Sequence, residues 1–368
     1  MKVIHICQRD DPATGGAVRV AFELVKRLIN HNIEAKLLFL YGESGYFGKN
    51  LESYCDYLRL KNFRDIWLYP RLNQYLAKVK PDIVHHHDDL LWPQLLTLSH
   101  SSYKKVIHAH GGGTPKPQPV KTRLLYHCQR LSADLITCIT EEAQKSQCIN
   151  VGFDPRKTSI IYNGIDLKHY QPASAEDKIK ARQYFNLPID SHIIGFVGRL
   201  DNKMKGGDDF LRVITNLPNN CVGLVVGNGP DFDNLQKLAR ELEISERVYF
   251  TGLLPDPKLA YQAMDIFAFT SRFEPFGLTL LEALASNVPV VGFRCPGGSA
   301  EILTDDTGIV IYERDLEKMA ETIRIMISNP DSIQQKLTQG RYLLETRFNW
   351  EISVEKLIDL YKTILTSN

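Results

Sequence analysis

The segment SRFEPFGLTLLEALA, which begins at Ser271, contains the residues with the clearest capacity for chemistry. Glu274 precedes a proline, which disfavours a helical conformation and places the carboxylate in a loop after the apolar run DIFAFT. Gly277 allows a ligand to approach the backbone closely. The amides of Leu278 and Thr279 then open a helix, where unpaired N–H groups bind anions. The segment therefore predicts an anion site beside a carboxylate.

A second carboxylate, Glu282, follows one turn inside the same helix, where it needs hydrogen-bond donors such as a ribose diol. The eight residues from Glu274 to Glu282 would span about 12 Å as helix, an upper guide because the first residues are loop. That is longer than the separation of about 5–9.5 Å in a glycosidase pair. It suits one carboxylate at a sugar and one at a ribose, with a diphosphate between them. The alternative is an acidic residue favoured by the helix dipole and an incidental ion pair.

Two cations follow another strand pattern, in HIIGFVGRLDNKMKGGDD. Arg199 and Lys205 come after the strand HIIGFV and beside a Gly-Gly pair. Together they could neutralise a diphosphate without a metal, because arginine grips phosphate oxygens bidentately and lysine adds a compact charge. Either residue alone could be an ordinary surface charge.

A glycine pair near the amino terminus, Gly15 and Gly16, opens an amphipathic helix after the strand KVIHIC. This resembles a phosphate-binding loop but lacks the G-x-G-x-x-G pattern of dinucleotide-binding folds. The sequence therefore disfavours a nicotinamide-dependent dehydrogenase.

Histidines follow two further strand patterns in the first half of the chain. KVIHAHGGG places His110 at a strand end before three glycines. DIVHHHDD places His85, His86 and His87 at the end of another strand. Consecutive strand residues alternate between faces, so these three histidines cannot all coordinate one metal. Buried, hydrogen-bonded histidines are the competing explanation for His85 and His86.

The segment GNGPDFDNL offers two weaker signals, a lone G-x-G and the pair Asp231 and Asp233. The acidic pair is typical of a metal-diphosphate site, but acidic residues at the start of a helix are the commoner explanation. The sequence therefore predicts no metal cofactor.

The elements that position these residues alternate between apolar strands and amphipathic helices. The predicted strands are KVIHIC, EAKLLFLY, DIVHHH, KVIHAH, DLITCI and SIIYN, then HIIGFVG, CVGLVVG, RVYFTG, DIFAFT, PVVGF and GIVI. Continuous apolar strands separated by helices indicate parallel sheets covered on both faces. Two such series predict an α/β fold with two doubly wound domains, whose ligands bind at the carboxyl ends of the strands.

The polar stretch DLKHYQPASAEDK divides the two series. The sequence therefore predicts an amino-terminal domain at 1–167, a second domain at 168–348 and a terminal helix at 349–368 that docks back on the first.

The composition agrees with a two-domain cytoplasmic protein of 368 residues. The apolar run at the amino terminus soon gives way to polar residues, so this run is predicted to be a strand and not a signal peptide. The 7 cysteines form no C-x-x-C pair, which disfavours disulfides and zinc. Residues 1–165 hold 22 Lys and Arg against 15 Asp and Glu, so the first half is the candidate surface for an anionic partner.

Eight motifs in order along nearly the whole chain resemble the retaining nucleotide-sugar glycosyltransferases of family 4, which have two facing Rossmann-like domains (the GT-B fold). They are GG at 15–16, HAHGG at 108–112, YNGID at 162–166, GRL with KGG at 198–207, GNGP at 227–230, FTG at 250–252, EPFGLTLLEALA at 274–285 and GGSAEI at 297–302. The E-x7-E element is the specific one.

The resemblance implies a donor site in the cleft between two domains. It places Glu274 at the donor sugar, Glu282 at the ribose, Arg199 and Lys205 at the diphosphate, and His110 beside the sugar, where it positions the ring and stabilises charge. The residues that it implies for donor binding are Gly15, Gly16, Asn163, Gly252, Leu253, Phe276, Gly277, Leu278, Thr279 and Glu282, with the backbone at Gly252 and Leu253 near the base.

The implied activity is metal-independent, retaining transfer of a hexosyl unit from a nucleotide sugar to a saccharide or lipid-linked saccharide, in polysaccharide or glycolipid synthesis. UDP-glucose and UDP-N-acetylglucosamine are the expected donors, with GDP-sugars as the next candidates. Two alternatives remain open: an epimerase or hydrolase of sugar nucleotides, and a non-catalytic binding module on the same fold. Nothing in the sequence indicates nucleic-acid binding.

Basic, aromatic segments at residues 59–80 and 116–130 suggest where an acceptor could be met. The first contains Phe63, Trp67, Tyr69 and Tyr75 among its lysines and arginines. Such composition predicts peripheral contact with an anionic membrane. A solvated basic face with an aromatic core side is the alternative.

Overall fold

The fold is taken from a computed structural model that describes residues 1–11, 16–62, 65, 67–87, 93–94, 102–111 and 119–367. Gly15 and Phe63 lie outside the described residues. The chain divides into two compact units, one formed by Met1–Asn163 with Trp350–Asn368 and the other by Gly164–Asn349. The sequence-based boundaries after residues 167 and 348 fall within a few residues of these divisions.

The first unit is built on a seven-stranded parallel sheet in the order β3-β2-β1-β4-β5-β6-β7. Its strands are β1 (Lys2–Arg9), β2 (Glu34–Tyr41), β3 (Cys55–Leu60), β4 (Ile83–His86), β5 (Lys104–Ala109), β6 (Leu135–Cys138) and β7 (Thr158–Ile160). Six of them match the predicted strands. Strand β3 was not predicted, because it is an edge strand in which Asp56 and Arg59 interrupt the apolar pattern.

Helices connect these strands and cover both faces of the sheet. They are α1 (Gly16–Asn30), α2 (Tyr46–Asn50), α3 (Leu68–Val79), α4 (Val120–Ser132) and α5 (Glu141–Ser146). On one face, Ile4 and Val84 share a core with Leu72 of α3. The other face carries His5 and His85, which are paired in register on neighbouring strands.

The second unit contains a six-stranded parallel sheet in the order β10-β9-β8-β11-β12-β13. Its strands are β8 (His192–Val197), β9 (Cys221–Val226), β10 (Val248–Gly252), β11 (Ile266–Phe269), β12 (Val290–Phe293) and β13 (Ile309–Ile311). All six correspond to predicted strands, because a strand buried on both faces is a continuous apolar run.

The helices of the second unit follow the same alternation. They are α6 (Ala175–Tyr184), α7 (Asn202–Lys205), α8 (Gly207–Thr215), α9 (Phe232–Glu241), α10 (Lys258–Ala263), α11 (Leu278–Ala285), α12 (Leu316–Ser328) and α13 (Gln334–Thr346). One large core joins Phe196 and Val225 of the sheet to Phe210 of α8 and Ile323 of α12. Two parallel sheets with helices confirm the predicted α/β fold of two doubly wound domains.

The chain ends in α14 (Trp350–Thr366), which belongs to the first unit. The guanidinium of Arg27 in α1 lies 5.4 Å from the centre of the Trp350 ring. Tyr361 is fully buried, and its hydroxyl lies 2.5 Å from Nδ1 of His85 in β4. The terminal helix is therefore part of this unit's core. Among the described residues, no helix is both long and apolar enough to cross a bilayer.

Candidate active site

The carboxyl ends of β8, β9, β10 and β11 lie along one edge of the second sheet, because all four strands are parallel. The amide of Gly198 donates to the Val226 carbonyl at 3.0 Å, and Gly227 donates to the Gly252 carbonyl at 2.9 Å. Consequently Gly252 ends β10 at this common edge, and Arg199 and Leu253 follow β8 and β10 there. The Arg199 and Leu253 side chains are exposed there.

Lys205 and Glu274 form a salt bridge at the same edge, through Lys205 Nζ and Glu274 Oε2. The strands that precede them, β8 and β11, are neighbours in the sheet although they are distant in sequence. Their loops are also joined through the backbone, since the amides of Arg272 and Phe273 donate to the Met204 carbonyl at 2.7 and 3.1 Å. The structure therefore brings together one predicted cation and one predicted carboxylate.

A second contact fixes the loop that carries Glu274. Its amide donates to the Pro296 carbonyl at 3.1 Å, and the Gly298 amide donates to the Pro275 carbonyl at 3.2 Å. Gly297 between them has φ 109°, and a Cβ there would lie 2.0 Å from the Glu274 carbonyl oxygen. Only glycine fits this close approach, so the GGSAEI motif supports the carboxylate loop sterically.

An ion-pair cluster ties the loop that carries Glu274 to α8, and it was not predicted from the sequence. Arg272 Nη2 donates to Asp208 at 2.8 Å and to Asp209 at 2.9 Å. Arg314 Nε donates to Asp209 at 2.7 Å, and its Nη2 donates to the Thr270 carbonyl at 2.6 Å. The two aspartates are neighbours in α8, whereas Arg272 and Arg314 lie in distant loops, so no local pattern links the arginines to the aspartates in the sequence.

Helix α11 begins at this edge, and its first backbone N–H groups point out of the amino-terminal end of the helix. Gly277 adopts φ 107° before the helix, and its carbonyl already accepts from the Leu280 amide at 2.9 Å. The first amides, those of Leu278 and Thr279, precede this bond, and the anion site there stays a prediction. Phe276 is buried and packs edge-on against Phe348 with ring centres 5.7 Å apart, so its side chain supports the loop.

Glu282 is 2 % exposed, and its Oε2 accepts a hydrogen bond from the Tyr261 hydroxyl at 2.9 Å. The same hydroxyl lies 3.2 Å from the Thr279 carbonyl. Ribose hydroxyls were the expected partners of this carboxylate. The structure shows a protein donor from α10, which orients one carboxylate oxygen.

Asp231, the first of the two acidic residues after β9, has a structural role. Asp231 Oδ2 accepts from the Asn202 amide at 2.8 Å, and Oδ1 accepts from Asn234 Nδ2 at 3.1 Å. The bond from the Asn202 backbone lowers the pKa of Asp231. Asp231 therefore anchors the start of α7, the short helix that carries Lys205.

In the first unit, Gly16 begins α1, His110 directly follows β5, and Asn163 is buried at the end of the unit. Oδ1 of Asn163 has no hydrogen-bond partner among the described residues. Gly15 falls in the undescribed stretch, so its predicted phosphate contact stays a prediction.

His110 belongs to a row of imidazoles that the sequence analysis did not assemble. His110 Nε2 lies 3.1 Å from His87 Nδ1, and His87 Nε2 lies 2.8 Å from His5 Nδ1. The rings of His85 and His108 pack beside them, 4.5 and 4.9 Å from the His87 ring centre. The five rings share one face because β1, β4 and β5 are adjacent strands.

Burial favours the neutral form of these imidazoles. It lowers the pKa of His5 and of His110 to about 3. Burial, with repulsion from neighbouring rings, also holds the pKa values of His85, His87 and His108 well below the ordinary 6.5. The cluster can therefore offer hydrogen bonds to a ligand but no positive charge.

Two family models match the chain. "Glycosyltransferase Family 4" matches residues 14–169, and "Glycosyl transferases group 1" matches residues 177–342. Each match falls within one of the two doubly wound domains, apart from a few residues at the boundary.

Curated relatives are similar over part of their length. The D-inositol 3-phosphate glycosyltransferase of Corynebacterium urealyticum is 29% identical over 234 residues, which are 59% of this chain and 54% of the relative. That of Mycolicibacterium paratuberculosis is 29% identical over 259 residues, 68% of this chain and 57% of the relative. The chain thus spans little more than half the length of these relatives.

Solved structures are similar over whole chains. HepE of Anabaena in complex with UDP and glucose has a TM-score of 0.85 at 21% identity, covering 99% of this chain and 100% of HepE. The sucrose-phosphate synthase of Thermosynechococcus elongatus has a TM-score of 0.82 at 20% identity, covering 100% of both chains. At these identities the likeness shows a shared fold, the two-domain α/β fold of GT-B glycosyltransferases.

Proposed function

Since the chain belongs to the family 4-type GT-B glycosyltransferases, we propose that it is a retaining, metal-independent hexosyltransferase that uses a UDP-sugar. UDP-glucose and UDP-N-acetylglucosamine are the proposed donors. Support for UDP comes from HepE, whose structures contain UDP, UDP-glucose, or UDP and glucose. The proposed acceptor is a saccharide or a lipid-linked saccharide.

The observation that carries the proposal is the Lys205–Glu274 salt bridge at the strand edge. The lysine ammonium has three N–H donors, so it can hold the carboxylate and still donate to a phosphate oxygen. Arg199 is exposed nearby along the same edge, with no ion pair among the described residues. Two cations and the amides of α11 then make a metal-free diphosphate site.

The reaction is the exchange of one glycosidic C–O bond for another. The bond between the sugar C1 and the β-phosphate oxygen breaks, and the electron pair leaves with UDP. Lys205, Arg199 and the helix amides stabilise the negative charge as it develops. The acceptor hydroxyl attacks C1 on the same face, and its proton passes to the departing phosphate oxygen. Glu274 holds sugar hydroxyls and opposes the positive charge on the ring.

An epimerase or hydrolase on the same fold would use the same diphosphate contacts without an acceptor. The two functions differ in one measurement, the products formed from the donor alone. Free sugar or an epimer produced at a rate independent of acceptor would favour the alternative. Product that appears only when an acceptor is present supports the transferase.

We expect UDP-glucose or UDP-N-acetylglucosamine to raise the unfolding temperature, because only the folded protein binds it. The screen compares UDP-, GDP- and ADP-sugars by thermal shift and calorimetry, each with and without EDTA. The expected result is UDP selectivity that EDTA does not change. Acceptor arms then include oligosaccharides, lipid-linked saccharides and inositol 3-phosphate, the last because of the names of the relatives. Loss of binding in EDTA would contradict the metal-free site.

Peripheral membrane contact is proposed for the first unit. Trp67 and Tyr69 are exposed by 55 % and 53 % at the start of α3. On the basic helix α4, the exposed apolar residues Val120, Leu124 and Leu131 have spacings of four and seven, which place them on one side. Basic residues beside exposed apolar ones suit the surface of an anionic bilayer.

The double variant Trp67→Ser, Leu131→Ser is expected to sediment less with vesicles that contain anionic lipid, because it loses apolar contact and keeps the charge. Tyr342→Ser is the matched control, since Tyr342 is 63 % exposed in the second unit. The wild-type chain should bind anionic vesicles and lose that binding at high salt. Equal binding to neutral and anionic vesicles would contradict an electrostatic contact.

A further inference from the structure

A hydrogen-bond chain runs from His110 into the core of the first unit. His110 Nε2 meets His87 Nδ1 at 3.1 Å, and His87 Nε2 meets His5 Nδ1 at 2.8 Å. His5 Nε2 meets the Tyr361 hydroxyl at 3.5 Å, and that hydroxyl lies 2.5 Å from His85 Nδ1. Two strand residues, two residues that directly follow strands and one residue of the terminal helix thus form a continuous path.

The chain has a direction because each member has a limited set of donors. A neutral imidazole has one N–H and one lone pair, and a tyrosine hydroxyl has one proton. The Tyr361 hydroxyl lies 2.5 Å from His85 Nδ1 and 3.5 Å from His5 Nε2, and the hydroxyl proton is assigned to the shorter contact, toward His85. With that assignment, His5 donates from Nε2 to the Tyr361 oxygen.

The direction propagates from ring to ring toward the strand end. With its hydrogen on Nε2, His5 accepts at Nδ1, so His87 donates from Nε2. His87 then accepts at Nδ1, so His110 donates from Nε2. His110 is left with a lone pair on Nδ1. We propose that this chain, which passes through the Tyr361 hydroxyl, fixes His110 as a neutral imidazole with its hydrogen on Nε2 and an acceptor at Nδ1.

This state matches the electrostatics of the proposed reaction, on which the functional part of the inference rests. A donor sugar that loses its phosphate gains positive charge near C1. A protonated imidazole beside it would repel that charge, whereas a lone pair on Nδ1 attracts it or accepts a sugar hydroxyl. Tyr361, His5 and His87 are therefore positioning residues that act through His110.

Three of these histidines are also close enough together to be a candidate metal site. One nitrogen each from His5, His85 and His87 lies within 4.8 Å of the others. Two nitrogen ligands on one tetrahedral zinc would lie about 3.3 Å apart, given bonds of about 2.05 Å. The 2.8 Å between His5 Nδ1 and His87 Nε2 is shorter and typical of a hydrogen bond. The geometry favours the hydrogen-bond chain.

The direct test is the tautomer of each ring, read from two-bond 1H–15N correlations in the 15N-histidine-labelled full chain. Peaks are assigned with His87→Gln and His110→Gln. The expected wild-type result is hydrogen on Nε2 of His5, His87 and His110 at pH 7.5. A hydrogen on Nδ1 of any of these rings overturns the proposal. So does zinc bound at one per chain that is lost in His87→Gln.

The Tyr361→Phe variant removes only the hydroxyl that joins His5 to His85. The His5 and His87 resonances should then show a mixture of tautomers, and kcat should fall about tenfold or more with little change in donor affinity, since fixing a catalytic imidazole's tautomer matters greatly. Tyr103→Phe is the matched control, a buried tyrosine of the same unit outside the chain. Unchanged tautomers in folded Tyr361→Phe would overturn the proposal. The spectra do not depend on turnover, so failure of the transferase assignment would be separate.

Discussion

The Lys205→Met variant is expected to transfer sugar about 10²–10³-fold more slowly than the wild-type chain, the scale for losing one preorganised contact to developing charge. The reason is that the Lys205 ammonium, which the variant lacks, lies beside Glu274 and is one of the two cations proposed to stabilise the departing diphosphate. The measurement is kcat with a saturating UDP-sugar and acceptor. Arg199→Met should show a loss of the same order.

Lys203→Met is the matched control, because Lys203 is an exposed lysine in the same short helix. Its kcat should stay within about twofold, as expected of a surface substitution. Near-normal turnover in both Lys205→Met and Arg199→Met would contradict the proposed diphosphate site. An equal loss in Lys203→Met would indicate damage to helix α7.

Loss of charge and loss of folding can be separated at this pair. Removing Lys205 leaves the Glu274 carboxylate, which is 9% exposed as a side chain, without its partner, and this costs stability. The double variant Lys205→Met, Glu274→Gln removes the uncompensated charge as well. It should recover stability relative to Lys205→Met but not recover turnover.

The sequence was sufficient for the fold because buried parallel strands leave continuous apolar runs. All six strands of the second unit carry such runs. The missed strand β3 lies at an edge, where one side meets solvent and polar residues such as Asp56 are tolerated. Strand β3 therefore depends on its pairing with β2, which no local sequence pattern reveals.

The position of each candidate residue at a strand end could be predicted from the sequence, but the contacts between these residues could not. Lys205 and Glu274 were each assigned to a strand end, whereas their salt bridge depends on β8 lying beside β11. Likewise, the Tyr261 hydroxyl that binds Glu282 comes from another helix. The Asp209–Arg314 pair spans more than a hundred residues and left no signal.

The histidines show the same limit most clearly. Strand alternation separated His86 from His85 and His87, but it could not place β1 and β5 on either side of β4. That strand order brings His5, His108 and His110 to the same face. A row of buried bases in the first unit follows from topology and has a large consequence for stability.

Acid is expected to unfold the first unit at a pH at which the second unit remains folded. Burial lowers the pKa of His5, His86 and His110 to about 3 from an unfolded value of 6.5. The unfolded chain therefore binds more protons below 6.5, so their stabilising contribution is complete above pH 6.5 and is lost as pH falls toward 3. Together, three such groups lower the free energy of unfolding by about 4 kcal/mol for each pH unit of acidification.

A unit of ordinary stability, about 5–15 kcal/mol, should not withstand that slope for more than one to four pH units. His85, His87 and His108 shift in the same direction and steepen the loss. We therefore expect an acid transition between about pH 5.5 and 4. No histidine of the second unit is buried, so it lacks this source of acid sensitivity.

Tryptophan fluorescence isolates the first unit, because Trp67, Trp92 and Trp350 all lie in its part of the chain. Urea unfolding at several pH values gives the slope of the unfolding free energy against pH. His86→Gln should reduce that slope by about 1.4 kcal/mol per pH unit, since one buried base is removed. His169→Gln, in the second unit, should leave it unchanged. A slope that is the same in wild type and His86→Gln would mean that His86 is not held neutral in the folded state, and the acid sensitivity would then need another source.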